Sequence, residues 1–364
     1  MVRKIGNKLV FIVGGTTPPT GGITVHVRRL GFLLSREGYE VEVFDVYGRK
    51  PFEEELPYKV HRGPRLAVLT RFLFAVLSRR PTIVHWHMAS GLNMRPYLAV
   101  WRGLSAVTKL VVTVHGGRFP ERVGEAEPVL KQRYVVAFGH ASGVIGVSED
   151  IVKSLTGKLS VTPERTRVIP AYLPFSLELG SKQAGGATIA KASDDGVILA
   201  TGFAHPTYNW EELIDALGGV DYKRVDLVFY NTYIQPYFDE VLEKLADSGL
   251  QDVVVHRDIG PITFAKMLGE AQIFVRPTLT DGDSVAVREA LAIGAVVVAS
   301  NAAGRPDGCH VYPSGSSSSL NRLLLQALAG EIEGSVESVD FGGGITEFYR
   351  EIAESDLKED PIEF

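Results

Sequence analysis

Short apolar runs alternate with longer amphipathic segments along the first half of the chain. Segments 23–35 and 66–78 carry apolar residues at helical spacing. The apolar runs between such segments lie at 9–13, 41–46, 82–86, 110–114, 143–147 and 167–169. This alternation predicts an α/β fold in which helices cover a parallel sheet.

A second series of apolar runs begins after a stretch with few large apolar residues. Residues 181–195 are rich in glycine, alanine, serine and lysine, which is typical of a linker. The runs that follow lie at 197–200, 226–230, 253–256, 273–275 and 296–299. The predicted division is a Rossmann-like domain at 1–175, a linker at 176–195, a second Rossmann-like domain at 196–343 and a helical tail at 344–364.

The most informative stretch is 271–306, which has the pattern of a strand, a loop, a helix and a second strand. An apolar run stops at Pro277, and a polar loop leads to a helical segment that begins at Ser284 and ends at Gly294. A β-branched strand follows at 296–299. Such a unit requires two parallel strands and a right-handed crossover.

Two acidic residues of this unit are candidates for ligand binding. Asp281 lies just ahead of the predicted helix, whose free N–H groups and positive dipole end favour a phosphate. Glu289 follows about two turns along, and a carboxylate there can accept hydrogen bonds from two hydroxyl groups, as ribose recognition needs. From the residues alone, two solvated acids on a helix remain the alternative.

Composition excludes several classes of protein. The chain has 364 residues, 45% of them hydrophobic, and a net charge of −5, which argues against broad nucleic-acid binding. Cys309 is the single cysteine, so an internal disulfide is excluded and a reducing, cytoplasmic location is expected. The apolar run at 9–13 is too short for a signal peptide, and no stretch has the length of a membrane span.

The pattern of 271–306 resembles the signature of a known family of enzymes. An acid, seven residues and a second acid, followed by Ala-Leu-Ala-x-Gly and Val-Val-Ala-Ser, is similar to the Glu-x7-Glu signature of glycosyltransferase family 4. The first acid here is Asp281, where the family has Glu. Weaker similarities extend over most of 8–313, including Gly21-Gly22, the His85-x-His87 strand and Val114-His115-Gly116.

The resemblance implies a GT-B fold, in which two Rossmann-like domains face each other across a cleft and the last helix crosses back to the first domain. It also implies retaining transfer of a sugar from a nucleoside diphosphate sugar, with no metal or other cofactor. The acceptor would be a sugar or a lipid-linked polysaccharide precursor.

The resemblance also assigns roles to individual residues. Glu289 would hold the ribose, Asp281 would face the donor sugar, and His115 would approach that sugar from the other domain. The remaining donor-binding candidates are Gly21, Gly22, Phe203, Tyr208, Gly282, Asp283, Ser284, Val285, Arg288 and Arg305.

The sequence departs from the family where an Arg and a Lys usually clamp the donor diphosphate. Phe203 and Tyr208 occupy those positions, and neither can neutralise a diphosphate. Arg288, Arg305 and His205 are the candidate replacements. The departure leaves two alternatives open, a non-catalytic binding or partner subunit and a GT-B epimerase or phosphorylase.

Two patterns bear on metal binding. Asp281-Gly282-Asp283 matches the Asp-x-Asp metal motif of the other large transferase fold, but the flanking residues assign Asp281 to a metal-free role. His85 and His87 share one face of a strand, where a metal would need a third ligand that the sequence does not reveal. A metal-independent enzyme is therefore predicted.

Segment 66–80 has two interpretations. Leucine and phenylalanine side chains extend around most of this helical segment, and Arg71, Arg79 and Arg80 lie among them. The segment could pack on the sheet with its basic end in water, or it could contact the inner face of a membrane as an interfacial helix. Both interpretations stay open at the level of the sequence.

Overall fold

The computed structural model describes residues 8–48, 54–89, 95–178, 196–230, 236–336 and 341–354. Within these ranges two all-parallel sheets form, one of seven strands and one of six. The strand orders are β3-β2-β1-β4-β5-β6-β7 and β10-β9-β8-β11-β12-β13. Each order reverses beside the first strand of its sheet, as in doubly wound folds, and this confirms the predicted class of two Rossmann-like domains.

The strands of the first sheet are β1 (Leu9–Gly14), β2 (Glu40–Asp45), β3 (Lys59–Arg62), β4 (Ile83–Met88), β5 (Lys109–Val114), β6 (Gly143–Gly146) and β7 (Thr166–Val168). Those of the second are β8 (Val197–Phe203), β9 (Arg224–Tyr230), β10 (Val253–Arg257), β11 (Ile273–Arg276), β12 (Val296–Ser300) and β13 (Cys309–Tyr312). The prediction missed β3 and β13. Each has four residues, lies at a sheet edge and is largely half-exposed, so the apolar run of a buried strand is absent.

The helices of the first half are α1 (Gly22–Arg36), α2 (Arg65–Arg79), α3 (Arg95–Ser105), α4 (Phe119–Gly124), α5 (Pro128–Gly139) and α6 (Glu149–Leu159). Those of the second are α7 (Trp210–Ala216), α8 (Tyr237–Asp247), α9 (Pro261–Glu270), α10 (Val285–Ala292), α11 (Ser317–Leu328) and α12 (Gly342–Glu354). None of the helices in the described ranges combines the length and apolar character that crossing a membrane requires.

The first sheet is buried on both faces, which explains why its strands appear as continuous apolar runs. Phe11 and Val13 of β1 belong to the core beneath α2, α3 and α5, whereas Val10 and Ile12 belong to the core beneath α1 and α12. Because successive side chains of a strand point to opposite faces of the sheet, neighbouring residues of β1 lie in two separate cores.

Helix α12 follows the second sheet in sequence but packs against the first. Its Ile345, Phe348, Tyr349 and Ile352 lie in the same core as Val10 and Ile12. The Tyr349 hydroxyl lies 2.5 Å from Nδ1 of His85 on β4. Of the predicted linker, 179–195 lies outside the described residues, so the domain boundaries stay a prediction.

Candidate active site

A cavity of about 560 Å³ lies between the carboxyl edges of the two sheets. His115 reaches it from the end of β5, and Arg276 reaches it from the end of β11. The predicted site residues that line it are Gly21, Gly22, His115, Phe203, Tyr208, Asp281, Gly282, Asp283, Ser284, Val285 and Glu289. Arg288 and Arg305 are not among the lining residues, whereas His205 is.

Helix α10 forms where the sequence predicted it. The Ser284 hydroxyl caps its first turn by accepting a hydrogen bond from the Val287 N–H at 3.4 Å, and Gly294 follows its end with a φ of +77°. Val287, Ala290 and Leu291 are buried on the face toward the sheet. Glu289 therefore faces the cleft.

Asp281 is held between two arginines. Its carboxylate accepts hydrogen bonds from Arg276 Nε at 2.8 Å and from Arg305 Nη1 at 3.0 Å. Burial alone would raise the pKa of Asp281, but the two guanidinium groups outweigh it and lower that pKa to about 2. Two cations and one anion leave the Arg276–Asp281–Arg305 triad with one net positive charge.

One of the aromatic residues at the usual clamp positions, Tyr208, contacts this triad. The Arg276 guanidinium lies 4.8 Å from the centre of the Tyr208 ring, and Phe203 packs edge-on against Tyr208. Arg276 also donates to the Thr201 carbonyl at 2.9 Å. A cation from the end of β11 thus lies beside the place where the family carries its Arg and Lys. Sequence reasoning missed Arg276, although a basic residue that ends an apolar run directly before Pro277 was a visible signal.

Arg305 is fixed by the second domain. It donates to the Ser300 carbonyl at 2.8 Å and to the Thr278 hydroxyl at 3.0 Å, in addition to Asp281. Ser300, Thr278 and Arg305 are not among the residues that line the cavity, so Arg305 supports Asp281 and does not itself face the cleft.

Asp283 joins the two domains. It accepts a hydrogen bond from the Ala171 N–H of the first domain at 2.9 Å and another from Arg288 Nε at 2.6 Å. Burial raises the pKa of Asp283, and the charge of Arg288 opposes that shift. Arg288 also lies over the Phe341 ring, 4.8 Å from its centre. Both members of the pair thus have protein partners.

Glu289 is also engaged from the opposite domain. Arg29 of α1 donates from Nη2 to Oε1 of Glu289 at 2.5 Å. The same guanidinium donates to Glu178 Oε1 and to the Leu173 carbonyl, each at 2.9 Å, and it is 2% exposed. The sequence offered one weak signal, an Arg pair inside an amphipathic helix.

Three buried histidines of the first domain meet beside the cavity, and one of them, His115, lines it. Ring nitrogens of His26, His87 and His115 lie within 4.8 Å of one another, so the group that could hold a metal ion contains only one member of the predicted pair His85 and His87. His85 is not in this group, because its nitrogens contact Tyr349 and the Thr113 hydroxyl. The cluster could hold a divalent cation that accepts nitrogen ligands.

Hydrogen bonds already orient these rings. Nδ1 of His26 lies 2.6 Å from the Ala171 carbonyl, and Nδ1 of His87 lies 3.0 Å from Nε2 of His115. Nε2 of His87 has no hydrogen-bond partner among the described residues. Burial lowers the pKa of His26 to about 4 and holds those of His87 and His115 well below their usual range, so the rings are neutral at pH 7.

Glycines allow the two domains to touch at the cavity. A Cβ on Gly117 would collide with the main chain of Asp281, and a Cβ on Gly282 would lie 2.7 Å from the His115 carbonyl oxygen. A Cβ on Gly21 would lie 2.9 Å from the Phe203 ring. The contact therefore depends on residues without side chains.

Family comparisons match both halves of the chain. The model described as Glycosyltransferase Family 4 matches residues 20–171, and the one described as Glycosyl transferases group 1 matches residues 195–329. No curated protein sequence matches the chain.

Solved structures share the fold at low identity. Sucrose-phosphate synthase from Thermosynechococcus elongatus is 17% identical, with 94% of each chain covered and a TM-score of 0.66. Anabaena HepE in complex with UDP and glucose is 15% identical, with 95% of this chain and 98% of that chain covered and a TM-score of 0.64. The catalytic domain of starch synthase IV from Arabidopsis thaliana, bound to ADP and acarbose, is 14% identical, with 95% and 99% covered and a TM-score of 0.64.

The family matches agree with the two parallel sheets and with the signature on α10. The chain belongs to glycosyltransferase family 4 and is a glycosyltransferase of the GT-B type.

Proposed function

We propose that the protein transfers a sugar from a nucleoside diphosphate sugar to an acceptor, with retention of configuration and without a metal ion. The observation that carries the proposal is the net positive Arg276–Asp281–Arg305 triad, of which Arg276 and Asp281 line an interdomain cavity. Two similar structures contain UDP or ADP, which supports a nucleoside diphosphate donor.

The proposed reaction needs positioning and charge stabilisation more than a protein nucleophile. The bond between the anomeric carbon and the β-phosphate oxygen breaks, and the acceptor oxygen bonds to the same face of that carbon. The acceptor proton passes to the departing phosphate oxygen. Negative charge on the diphosphate therefore grows during the step, and a fixed cation nearby lowers the barrier.

Arg276 is the cation that we assign to this role. The N-terminus of α10 contributes only about half a charge, which is too little alone. Arg276 lines the cavity, and the second arginine of the triad offsets the charge of Asp281. In this assignment Asp281 is a positioning residue that orients the guanidinium of Arg276.

Glu289 and His115 face the two ends of the donor in the proposed complex. Glu289 keeps acceptor positions beyond the one that Arg29 occupies, so it can still receive ribose hydroxyl groups. His115 is neutral and lines the opposite wall, where it can exchange a hydrogen bond with the sugar. The acceptor is proposed to be a sugar, free or linked to a lipid.

The assignment of Arg276 is tested by comparing two ligands. Arg276→Gln should weaken binding of a nucleoside diphosphate by roughly tenfold or more and leave nucleoside binding nearly unchanged, because charge-assisted bonds to phosphate are lost. Calorimetry gives the ratio of the two affinities. Arg224→Gln is the matched control, since Arg224 lies at the start of β9 and pairs with Asp226 away from the cavity.

Equal losses for both ligands would remove Arg276 from the phosphate site. Product analysis with and without an acceptor separates transfer from rearrangement of the donor. If no nucleoside diphosphate sugar raises the melting temperature at millimolar concentration, the transferase proposal fails.

Metal independence is tested by chelation. Turnover is expected to survive EDTA. Loss of turnover that Zn²⁺ restores would instead assign a metal to the cluster of His26, His87 and His115, and His26→Asn should then abolish the rescue. Loss that Mg²⁺ or Mn²⁺ restores would assign it to the carboxylates of Asp281 and Asp283.

A further inference from the structure

Helix α2 packs one narrow stripe of apolar residues against the first sheet and exposes a second apolar face to solvent. Val68, Phe72 and Val76 recur every fourth residue and are buried in the core. Leu66 is 78% exposed, Phe74 72%, Leu77 67% and Leu73 44%. Four large apolar side chains on one helix of 15 residues exceed the scattered exposure of an ordinary surface.

The polar side chains on this outer face are turned back onto the helix. The Thr70 hydroxyl donates to the Leu66 carbonyl at 2.8 Å, and the Ser78 hydroxyl donates to the Phe74 carbonyl at 2.8 Å. Because these hydroxyl groups already donate hydrogen bonds within the helix, the face can be buried away from water without leaving a hydrogen-bond donor unsatisfied.

The stretch of sequence that contains the helix has a charge opposite to that of the whole protein. Residues 56–120 contain ten Lys and Arg and no Asp or Glu, although the chain carries a net charge of −5. Arg71 and Arg80 are exposed, and no ion pair of theirs occurs among the described residues. Arg79 is the exception, because it pairs with Glu40 and Glu42 of β2. Such a basic rim on an apolar face is complementary to an anionic lipid surface.

We propose that the face formed by Leu66, Leu73, Phe74 and Leu77, with Arg71 and Arg80 at its rim, docks onto an anionic membrane. The apolar side chains enter the boundary between headgroups and acyl chains, while the arginines contact lipid phosphates. We call this surface the α2 face.

The position of α2 gives docking a consequence for the reaction. The helix follows β3, so it begins at the carboxyl edge of the first sheet, where the cavity opens. A docked α2 face brings the first-domain side of the cleft to the membrane and favours a lipid-linked acceptor. This consequence rests on the proposed transferase function, whereas docking itself does not.

Co-sedimentation with vesicles tests the docking step without any turnover. The wild-type protein should pellet with vesicles of phosphatidylcholine and phosphatidylglycerol in equal parts. Binding to pure phosphatidylcholine vesicles should be weaker by roughly tenfold or more, and added salt should weaken binding to the mixed vesicles. Equal binding to both vesicle types, or none to either, would overturn the proposal.

Two pairs of variants separate the apolar and charged contributions. Phe74→Ser/Leu77→Ser and Arg71→Gln/Arg80→Gln should each lose roughly tenfold in affinity for the mixed vesicles. The matched controls lie on the second domain, Ile262→Ser/Leu325→Ser for exposed apolar side chains and Lys266→Gln/Arg322→Gln for charge. Circular dichroism melting should show all four folded.

Two further results would overturn the proposal. Loss of binding in the controls as well would indicate a non-specific effect and overturn the proposal. A dimer of the wild-type protein that Phe74→Ser/Leu77→Ser converts to a monomer, with no change in vesicle binding, would make the α2 face a contact between copies. Because nucleotide binding is measured separately, failure of docking and failure of the transferase proposal remain distinguishable.

Discussion

Single side chains in the cleft are held by partners that lie far away in the sequence. Glu289 shares the guanidinium of Arg29 with Glu178, so one cation from α1 joins two carboxylates. The side chain that resembles a ribose ligand is therefore also part of the interdomain contact. Its substitution tests both roles.

Glu289→Gln should lower the affinity for a nucleoside diphosphate by about 1.5–3 kcal/mol, because charge-assisted hydrogen bonds to two hydroxyl groups are lost. Calorimetry measures the affinity. Glu178→Gln is the control, since it removes the other carboxylate from Arg29 but lies off the cavity wall. Wild-type affinity in Glu289→Gln would exclude Glu289 from the donor site.

The buried histidines predict a loss of stability in mild acid. The pKa of His26 is about 4 in the folded chain and about 6.5 in the unfolded chain, so the unfolded state binds more protons between these values. The free energy of unfolding therefore falls as the pH drops through this window, by roughly 3 kcal/mol for His26 alone. The lowered pKa values of His87 and His115 also reduce the free energy of unfolding as the pH falls. The raised pKa of Asp283 has the opposite effect on the free energy of unfolding.

His26→Asn isolates this contribution, because the amide can still donate to the Ala171 carbonyl but cannot titrate. Urea unfolding at pH 7 and pH 4.5 should show a smaller loss of stability in the variant than in the wild type. An equal loss of unfolding free energy in the variant and the wild type would contradict the assigned pKa of His26.

At the scale of elements, α12 stabilises the first domain although it follows the second. Tyr349 and Phe348 fill the core beneath α1, and a Cβ on Gly143 would lie 2.7 Å from the Phe348 ring. The helix thus fits against a groove that a glycine of β6 leaves open. The Tyr349 hydroxyl adds a buried hydrogen bond to His85.

Tyr349→Phe should lower the free energy of unfolding by about 1–3 kcal/mol, because a nitrogen of His85 loses its partner in a buried site. Chemical denaturation measures the change. Tyr222→Phe is the matched control, since its exposed hydroxyl donates to the Gln251 carbonyl at 2.9 Å and should be replaced by water. Equal effects of the two substitutions would mean that the contact between α12 and β4 contributes no special stability.

At the scale of the whole molecule, several contacts join the two domains across the cavity. Among them are the Arg29–Glu289 ion pair, the hydrogen bond from Ala171 to Asp283, and the close contact between Gly117 and Gly282. We predict that the two domains close around the donor. Closure would exclude water from the reacting groups.

Gly117→Ala should open the cleft, because the new methyl group would overlap the main chain of Asp281 while each domain core stays intact. Small-angle scattering should give a larger radius of gyration, and nucleotide affinity should fall. Gly103→Ala is the control, since a Cβ there meets nothing within 4 Å. An unchanged scattering profile would show that this contact does not hold the domains together.

The sequence alone determined the two sheets, because strands buried on both faces must be apolar along their whole length. It also determined α10, since Ser284 and Gly294 are the ordinary start and stop residues of a helix. Through the resemblance it pointed to the family. The edge strands β3 and β13 escaped because half-exposed strands of four residues carry no such pattern.

Only the tertiary structure decided how the charges of the site pair. Arg29 and Glu289 lie 260 residues apart, Arg276 and Arg305 converge on Asp281 from two strand ends, and His26 joins His87 from another element. Periodicity shows which face of a helix is buried, but not which residue of the other domain lies opposite. That depends on the relative orientation of the two domains, which no local pattern encodes.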